Sequence, residues 1–452
     1  MSNKIILIVA TMGAFLTPFM GSAINVALPT IGEEFSMSAI SMGWVAMSFQ
    51  LSAAMVLVPL GRIADIYGRK SIFLWGAVVF TLFSLFCGLS NSSELLIFAR
   101  VVQGIGGAMM FGTGAAILTS AYPPEERGAV LGINVTAVYV GLVVGPSIGG
   151  ILTQYIGWRS IFFITVSLGL LVVFAIIWKL KGDWAEARGE RIDFVGSILY
   201  GLALLAMMYG FSVLPSTLGL FLALVGVSCL TLFGFWELRT AYPVLDLRLF
   251  TNNRPFAFSN LAAFLNYMAT FAVGFLLSLY LQYIKGFSPR DAGLILVIQP
   301  VVMALLSPVA GKLSDRIEPR TIASAGMAMT TIGIVPLILI NDATNVMYVY
   351  AALVVLGLGF ALFASPNMNA VMSSVDKKYY GVASGMVGTS RLVGQMFSMG
   401  VTMMIFAFIM GRVQISPEYY THFLKSMKIT FAILCFLCFC GIFVSLARGK
   451  VR

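Results

Sequence analysis

Residues 61–71 read GRIADIYGRKS, where one long apolar run ends and the next begins. A shortened copy, GKLSD, occupies residues 311–315, again where an apolar run ends in basic residues. The copies start at Gly61 and Gly311, 250 residues apart, which is about eight spans at roughly 31 residues per span with its loop. An even number of spans between the two copies places both copies on the same side of the membrane. The spacing predicts a duplicated six-span unit with two spans inserted between its copies.

The composition indicates a membrane-embedded chain. Of the 452 residues, 59% are hydrophobic and 10% are charged, whereas soluble domains carry about 25% charged residues. Apolar stretches long enough to cross about 30 Å of hydrocarbon recur along the chain. Charged breaks and breaks rich in Pro, Gly or Asn divide it into fourteen such segments. The predicted fold class is therefore all-α integral membrane, with 14 transmembrane helices.

Few residues are available for enzyme chemistry. The single histidine, His422, lies in a polar loop, so we expect neither a His-containing triad nor a His-rich metal site. All five cysteines lie in apolar segments and predict no disulfide framework. There is no GxxxxGKS/T loop for ATP, and the basic residues lie in short loops rather than on one face as nucleic-acid binding requires. We expect no enzyme activity, cofactor, metal or nucleic-acid partner.

The loop charges orient the chain. The longest charged interval, Lys179–Asp193, is a predicted cytoplasmic linker, because hydrocarbon cannot accommodate it. With the N-terminus inside, twenty Lys and Arg residues fall on the cytoplasmic side and six on the other, and the positive-inside rule selects this orientation. We expect a multi-pass plasma-membrane protein with both termini cytoplasmic. The predicted domains are one six-helix bundle (1–180), the linker with two inserted spans (181–254) and a second six-helix bundle (255–452).

Each copy of the repeat indicates a gate. Two glycines in the first copy permit a tight turn between spans, and an aspartate lies beside basic residues. Such a charge cluster can close a pathway and break when two bundles rock. The alternative is a solvated basic loop, which the second copy makes less attractive. The predicted gating residues are Gly61, Asp65, Gly68, Arg69, Gly311, Asp315 and Arg316.

The fourth predicted span carries an arginine. In IFARVVQGIGGAMM (97–110), Arg100, Gln103, Gly104 and Gly107 share one helical face. A charged side chain within a span is costly in hydrocarbon and usually faces a cavity or a partner. The alternative is a structural arginine that bonds backbone carbonyls, and we favour a functional role.

The fifth predicted span carries a glycine ladder. In GLVVGPSIGG (141–150), Gly141, Gly145 and Gly149 recur at every fourth position, and Pro146 bends the helix. Small residues on one face let another helix approach closely. Simple packing therefore explains the glycines taken alone.

Taken together, these motifs resemble a known family, the major facilitator superfamily, and within it the fourteen-span drug:proton antiporter group. GRIADIYGRKS resembles its loop signature, ARVVQGIGGA its fourth-span signature and GLVVGPSIGG its antiporter signature. Three further segments resemble conserved sequences of the group: INVALPTI (24–31), WRSIFFI (158–164) and ELRTAYPVLDLRLF (237–250). The resemblance covers essentially the whole chain.

The resemblance implies two six-helix bundles related by a pseudo-two-fold axis along the membrane normal. Between them a central cavity would open alternately to the two sides. The resemblance also implies that Arg100 takes part in proton coupling. Exchange between the bundles would be controlled by the antiporter motif, which comprises Gly141, Gly145, Pro146, Gly149 and Gly150.

One position departs from the pattern of the group. Drug-exporting relatives often carry an acidic residue five positions before the Asn of the INVALP signature, but here the residue before Asn25 at that distance is Met20. All eighteen acidic residues lie in loops or at span ends. A buried counter-charge for a cationic drug is therefore missing. This favours an anionic or neutral amphipathic ligand, held by Arg100 and by Arg391 of the thirteenth span.

Other polar residues inside spans are candidates for the cavity wall. Hydrogen bonding between helices is an equally good explanation for each. The predicted substrate or coupling residues are Arg100, Gln103, Asn25, Gln50, Tyr139, Asn266, Gln299, Arg391 and Gln395. Further candidates are Tyr267, Gln282, Asn367 and Asn369.

Three functions follow as hypotheses. The leading one is a secondary active exporter that uses alternating access and the proton gradient to move hydrophobic drugs or amphipathic metabolites. The second is an exporter or exchanger of an organic anion bound by Arg100 and Arg391. The third is a non-transporting membrane receptor or lipid scaffold, although no extra sensory domain is evident. The expected partners are the substrate, protons and the lipid bilayer, and the chain is expected to be a monomer.

Overall fold

The computed structural model describes residues 3–180, 182–185, 189–241, 243–245, 247–376 and 380–449. Regular structure within these ranges is helical. Its α-helices, in chain order, are α1 (Asn3–Glu34), α2 (Ala39–Tyr67), α3 (Arg69–Leu89), α4 (Ser93–Ala121), α5 (Pro124–Tyr155), α6 (Arg159–Lys179), α7 (Phe194–Val213), α8 (Thr217–Glu237), α9 (Arg248–Asn252), α10 (Arg254–Leu279), α11 (Pro289–Leu296), α12 (Ile298–Ser314), α13 (Pro319–Ile338), α14 (Val346–Ser373), α15 (Tyr380–Ile409) and α16 (Tyr420–Ala447).

The described residues contain 14 helical spans long and apolar enough to cross a membrane, which confirms the predicted number. α11 and α12 together form the tenth span, and the short α9 lies outside the spans. The ninth span is α10 extended by a π-helical turn, Tyr280–Ile284. Several helices extend beyond the ends of their apolar segments. α1, for example, continues to Glu34, because a helix extends into the polar interface where hydropathy no longer marks it.

The spans pack as two six-helix bundles with an additional pair. In the first bundle, α1 packs on α5 and α4, α4 packs on α2 and α3, and α3 packs on α6. In the second, α10 packs on α15 and α16, while α14 packs on α12 and α13. The additional pair consists of α7 and α8. α7 contacts α2 of the first bundle and α15 of the second, whereas α8 packs on α7.

The 250-residue repeat extends from the motifs into the helix crossings. A Cβ atom on Gly76 of α3 would lie 3.0 Å from the carbonyl oxygen of Gly106 in α4. At the matching position 250 residues later, a Cβ atom on Gly326 of α13 would lie 2.7 Å from the carbonyl oxygen of Gly359 in α14. Both crossings bring two backbones together where a side chain would not fit. The same close crossing is therefore built twice.

The two ends of the molecule can be named from the chain itself. Because 14 spans is an even number, the described ends Asn3 and Gly449 lie on one face, called here the terminal face. The opposite face is the distal face. The α2–α3 connection with GRIADIYGRKS and the α12–α13 connection with GKLSD both lie at the terminal face.

Candidate functional site

The two bundles are joined by hydrogen bonds near the distal face. The backbone N–H of Ala39, at the start of α2, donates to the carbonyl of Val413, 3.2 Å away. The amide Nε2 of Gln414 donates to the carbonyl of Ser36 at 2.9 Å. Arg290 Nη1 donates to the hydroxyl of Tyr155 at 3.2 Å. These contacts close the distal side of the interface between the bundles.

Towards the terminal face, α5 stands apart from its neighbours. Ile133 and Val135 are 49% and 47% exposed, although they point about 200° apart around the helix. A helix packed on one side would bury one of them. Between this part of α5 and helices α1 and α6 lies an open groove of about 480 Å³, lined by Thr11, Phe15, Thr136 and Leu168 among others. Hydrogen bonds therefore join the two bundles near the distal face, and the first bundle is grooved beside α5 towards the terminal face.

At mid-depth, Arg391 of α15 reaches the first bundle. Its guanidinium carbon lies 4.5 Å from the centroid of the Phe111 ring in α4, a cation–π geometry. Its Nε is buried and has no hydrogen-bond partner among the described residues. Tyr267 of α10 and Tyr139 of α5 both lie close enough to interact with its charge. This group of Phe111, Tyr139, Tyr267 and Arg391 is called here the Arg391 cluster.

The Arg391 cluster combines aromatic and polar groups. Measured along their helices at 1.5 Å per residue, its members lie roughly 15–22 Å from the terminal ends. Tyr267 also packs edge-on against Phe360, with 5.3 Å between centroids. Aromatic faces, phenol hydroxyls and one unsatisfied N–H donor can hold a planar ligand by stacking while hydrogen-bonding its oxygen atoms. Gln395, one turn from Arg391, is half-buried on the same face.

Arg100 lies inside the first bundle, away from the Arg391 cluster. It is 1% exposed, and its Nε donates to the carbonyl of Val45 in α2 at 3.2 Å. Its Nη1 donates to Gln103 Oε1 at 2.7 Å, and Gln103 Nε2 donates to Ser84 Oγ of α3 at 2.6 Å. The guanidinium also faces the Phe49 ring at 4.7 Å. Arg100 therefore ties α4 to α2 and α3, the geometry of the structural alternative.

The other predicted amide side chains differ in whether they have hydrogen-bond partners. Asn367 donates to the carbonyl of Ser259 at 3.2 Å, and Asn369 donates to Ser314 Oγ at 2.9 Å, so both bond neighbouring helices. Asn266 is fully buried, and neither amide atom has a hydrogen-bond partner among the described residues. Gln50 is buried, and Asn25, Gln282 and Gln299 are half-buried.

The first copy of the gate motif is held by residues of its own half. Asp65 accepts from Arg69 Nε at 2.8 Å, and Arg69 Nη1 donates to Ser120 Oγ of α4 at 2.6 Å. Gly68 has φ +117° and forms the turn. Gly61 does not, because α2 continues to Tyr67, and a Cβ atom there would meet nothing within 4 Å. The prediction that Gly61 shapes this turn is wrong.

The linker contributes residues to the first gate that the sequence did not single out. The Asp183 carboxylate accepts from the backbone N–H of Lys70 at 2.8 Å and from Ser71 Oγ at 2.6 Å. Trp184 accepts from the backbone N–H of Arg69 at 2.9 Å. Glu190 pairs with Arg62. A carboxylate thus caps the first turn of α3 from a distant segment.

The second copy of the gate motif is arranged differently. Asp315 accepts from Asn369 Nδ2 of α14 at 3.3 Å, and Arg316 is exposed. Gly311 faces Ser365 of α14, whose Oγ would lie 2.9 Å from an added Cβ atom. The two predicted gates therefore occupy equivalent ends of the bundles but use different partners.

The glycines of the antiporter motif face two different helices. A Cβ atom on Gly141 would lie 2.6 Å from the carbonyl oxygen of Phe15, and one on Gly149 would lie 2.9 Å from Ala23. The ladder therefore packs on α1 within the first bundle. Gly150 instead contacts the backbone at Pro289 of α11, and Gly293 contacts the carbonyl of Pro146. Contact between the bundles is made by these last two glycines rather than by the ladder.

Arg448 is a further buried arginine, and sequence reasoning missed it. It lies just after α16, is 0% exposed, and donates to Asn367 Oδ1 at 3.0 Å and Ser259 Oγ at 3.2 Å. Burial lowers the pKa of its guanidinium to about 10, and the charge of Glu318 opposes this shift. The sequence predicts that a basic residue near a chain end is exposed to solvent, so no sequence signal indicated the burial of Arg448. Lys181 and Arg188 of the linker, which were also counted as loop charges, lie outside the described residues.

Comparison with known proteins identifies relatives of the whole chain. The sequence profile of the Major Facilitator Superfamily matches residues 10–399 and residues 259–450. The chain is 30% identical over 387 residues to the riboflavin transporter RibZ of Clostridioides difficile (strain 630), which covers 86% of this chain and 84% of that protein. It is 31% identical over 410 residues to the cephamycin export protein CmcT of Amycolatopsis lactamdurans, with 88% and 84% covered.

The fold also matches a solved structure. A bacterial homolog of the human lysosomal transporter Spinster, in an inward-facing and unoccupied conformation, superimposes with a TM-score of 0.69 at 19% sequence identity. The match covers 99% of this chain and 97% of that chain. The predicted arrangement of two six-helix bundles with an inserted pair of spans is confirmed.

Proposed function

Because the chain belongs to the major facilitator superfamily, we propose that this transporter is a proton-coupled exporter of hydrophobic or amphipathic small molecules. Transporters of this architecture expose a site between two bundles to one membrane face at a time. The cephamycin export protein, 31% identical, supports the export direction. The riboflavin transporter, 30% identical, supports a ligand that combines an aromatic body with polar groups.

The proposed orientation places the terminal face in the cytoplasm. Support comes from the loop charges, since the positive-inside rule counts Lys and Arg in short loops. The sequence assigns twenty such residues to the terminal side and six to the distal side. The plasma membrane is the proposed location. A cysteine in place of the exposed Ala343, on the distal face, should react with an impermeant maleimide on intact cells, whereas one in place of the exposed Ala241 should not.

In this orientation the proposed state is one that loads substrate from the cytoplasm. Its support is the set of hydrogen bonds that join the bundles near the distal face. The segments 1–180 and 255–452 are proposed to move as units, with the inserted pair beside them. Since α7 contacts both α2 and α15, it bridges the moving parts on one side. The proposed functional unit is a monomer.

The observation that carries the proposed substrate site is the Arg391 cluster. It draws on both bundles at mid-depth, so a ligand bound there would sense their relative movement. The buried Nε of Arg391 lacks a hydrogen-bond partner within the described part of the chain, and a ligand oxygen would satisfy it. An unsatisfied buried donor costs about 1–3 kcal/mol, so this bond favours ligand entry.

The charge inside the membrane favours a second candidate substrate class. The acidic residues that the structure describes all lie in loops or at helix ends, whereas Arg391 presents a cationic group to the interface. An organic anion would pair with this group, and a cationic drug would be repelled. Arg100, whose Nε and Nη1 already have partners within the first bundle, is proposed to act in coupling by positioning α4 rather than by touching the ligand.

Energised efflux from cells tests the proposed export. Cells expressing the protein are loaded with a neutral amphipathic dye and then supplied with glucose, with and without a protonophore. We expect faster efflux than from cells expressing the Arg391→Gln variant, and the protonophore should abolish the difference. Efflux that is equal in the two strains, or unaffected by the protonophore, would contradict the proposal.

A further inference from the structure

Pro29 leaves an acceptor free in α1, next to the second bundle. A proline has no backbone N–H, so it cannot donate to the residue four positions earlier. That residue is Asn25, whose carbonyl lacks its usual helical donor. The carbonyl is met instead by Ser278 of α10, whose Oγ donates to it at 2.7 Å. The two residues are 253 positions apart, so the bond joins the bundles.

The π-helical turn that follows α10 adds two further bonds between the bundles. Gln282 Nε2 donates to the carbonyl of Val26 at 3.0 Å and to Ser278 Oγ at 3.0 Å. The hydroxyl of Tyr283 donates to the carbonyl of Pro29 at 3.3 Å. Gln282 and Tyr283 are adjacent in sequence and lie in the π-helical turn. A π-turn is rare and typical of functional sites, and its wider winding turns two successive side chains towards one neighbour.

The acceptors are backbone carbonyls of a single short segment, Asn25 to Pro29. Backbone acceptors hold an approaching helix without requiring complementary side chains. When the helices separate, water can replace each donor, because a carbonyl has two lone pairs. Such bonds can therefore be made and broken repeatedly without leaving a buried polar group unsatisfied. Static packing of small or apolar residues would not show this arrangement.

We propose that the carbonyls of Asn25, Val26 and Pro29, together with Ser278, Gln282 and Tyr283, form the latch that holds the distal face closed. Pro29 is its positioning residue, because it frees the Asn25 carbonyl for Ser278. The latch rests on the alternating access of the proposed function. It assigns a role to the proline of INVALPTI and places Gln282, a predicted cavity residue, at the closure between the bundles.

Cysteine accessibility at Gly274 measures latch opening. Gly274 lies one turn inside Ser278 on α10, and a Cβ atom there would find only Asn25 Nδ2, 3.9 Å away. Gly274→Cys is therefore tolerated and lies behind the latch as seen from the distal side. Intact cells are treated with an impermeant maleimide, and mass spectrometry reads the labelled fraction at each cysteine. Ala343→Cys reports separately whether the distal face is outside, so a failure of the proposed orientation is recognised as such.

Removal of the latch donors should increase labelling at position 274. With Gly274→Cys as reference, Ser278→Ala should raise the labelling rate about fivefold, the effect of losing one hydrogen bond. Ser278→Ala with Gln282→Met should raise it further. Ser426→Ala is the matched control, since Ser426 is equally buried but donates within its own helix, to His422. Cys87 and Cys438, both fully buried, should remain unlabelled throughout, which excludes unfolding.

Replacing the proline separates the latch from general packing. Pro29→Ala restores an N–H that shares the Asn25 carbonyl with Ser278 and weakens the Ser278 bond, so it should increase labelling although it touches no donor. Pro18→Ala, a change to the other proline inside α1, should leave labelling unchanged. Unchanged labelling in the Ser278 and Pro29 variants would overturn the proposal. The same increase with Ser426→Ala or Pro18→Ala would overturn it as well.

Discussion

The guanidinium of Arg391 in α15 lies 4.5 Å from the centre of the Phe111 ring in α4. A cation of the second bundle thus faces an aromatic ring of the first, at mid-depth. Tyr139 and Tyr267 bring a third and a fourth helix to the same point. A ligand in this cluster would contact both bundles at once, which alternating access requires of a transport site.

Neutralising Arg391 should weaken ligand binding without unfolding the protein. Arg391→Gln removes the charge, and we expect roughly tenfold weaker binding of an anionic or neutral aromatic ligand, the usual effect of losing a charge-assisted hydrogen bond. Arg391→Lys should restore part of the affinity for an anion. Tryptophan quenching by the ligand measures this. Arg412→Gln, a change to an exposed arginine, is the control, and equal affinity in both variants would contradict the assignment.

Arg100 should prove important for stability as well as for transport. Arg100→Ala removes the bonds to the Val45 carbonyl and to Gln103 Oε1 inside the first bundle, which should lower the free energy of unfolding by about 2–4 kcal/mol. Arg100→Lys keeps the charge but loses the planar fork. If Arg100 positions α4 for coupling, the Lys variant should retain ligand counterflow while losing transport driven by a pH step. Normal pH-driven transport by the Lys variant would argue against a coupling role.

The gate aspartates should affect transport more than stability. Asp65→Asn loses the ion pair with Arg69, which is partly exposed and contributes below about 1 kcal/mol to stability. We expect normal expression and a roughly tenfold lower transport rate, with Asp315→Asn showing the same direction. Glu94→Gln, at the exposed distal start of α4, is the matched acid-to-amide control. Full activity of the Asp65 variant would refute the gate.

The contact between the linker and α3 should be visible in hydrogen exchange. Asp183→Ala removes the carboxylate that accepts from Lys70 and Ser71, a loss of about 0.5–2 kcal/mol for a helix cap. Amide exchange in the first turn of α3 should accelerate roughly tenfold. Asp193→Ala is the matched control, because Asp193 caps α7 by accepting from Gly196 at 2.9 Å. Its removal should accelerate exchange in α7 and leave α3 unchanged.

The spans were predictable because apolar length is a local property of the sequence. The 14 apolar segments and the 250-residue repeat can both be recognised in the sequence. The close helix crossings at Gly76 and Gly326 show that the repeat extends to the packing of the helices. Helix ends were less predictable, since hydropathy stops at the hydrocarbon edge while the helix continues.

The partners of the site residues were not predictable, because they lie far away in sequence. Asp183 reaches Lys70 across 113 residues, and Ser278 reaches Asn25 across 253. Helical spacing placed Arg100, Gly104 and Gly107 on one face correctly but could not show that Phe49 of α2 covers that face. The family resemblance implies that the glycine ladder controls exchange between the bundles, and the structure packs the ladder on α1 within the first bundle.

The most direct test of the account is transport by purified protein in liposomes under an imposed pH step. Uptake of cationic, neutral and anionic aromatic probes is measured for the natural protein and for Arg391→Gln. The account predicts uptake of the neutral or anionic probe driven by the pH step, little uptake of the cation, and loss of uptake in the variant. Uptake that does not depend on the pH step would contradict the account. Uptake that is greatest for the cationic probe and persists in Arg391→Gln would contradict it as well.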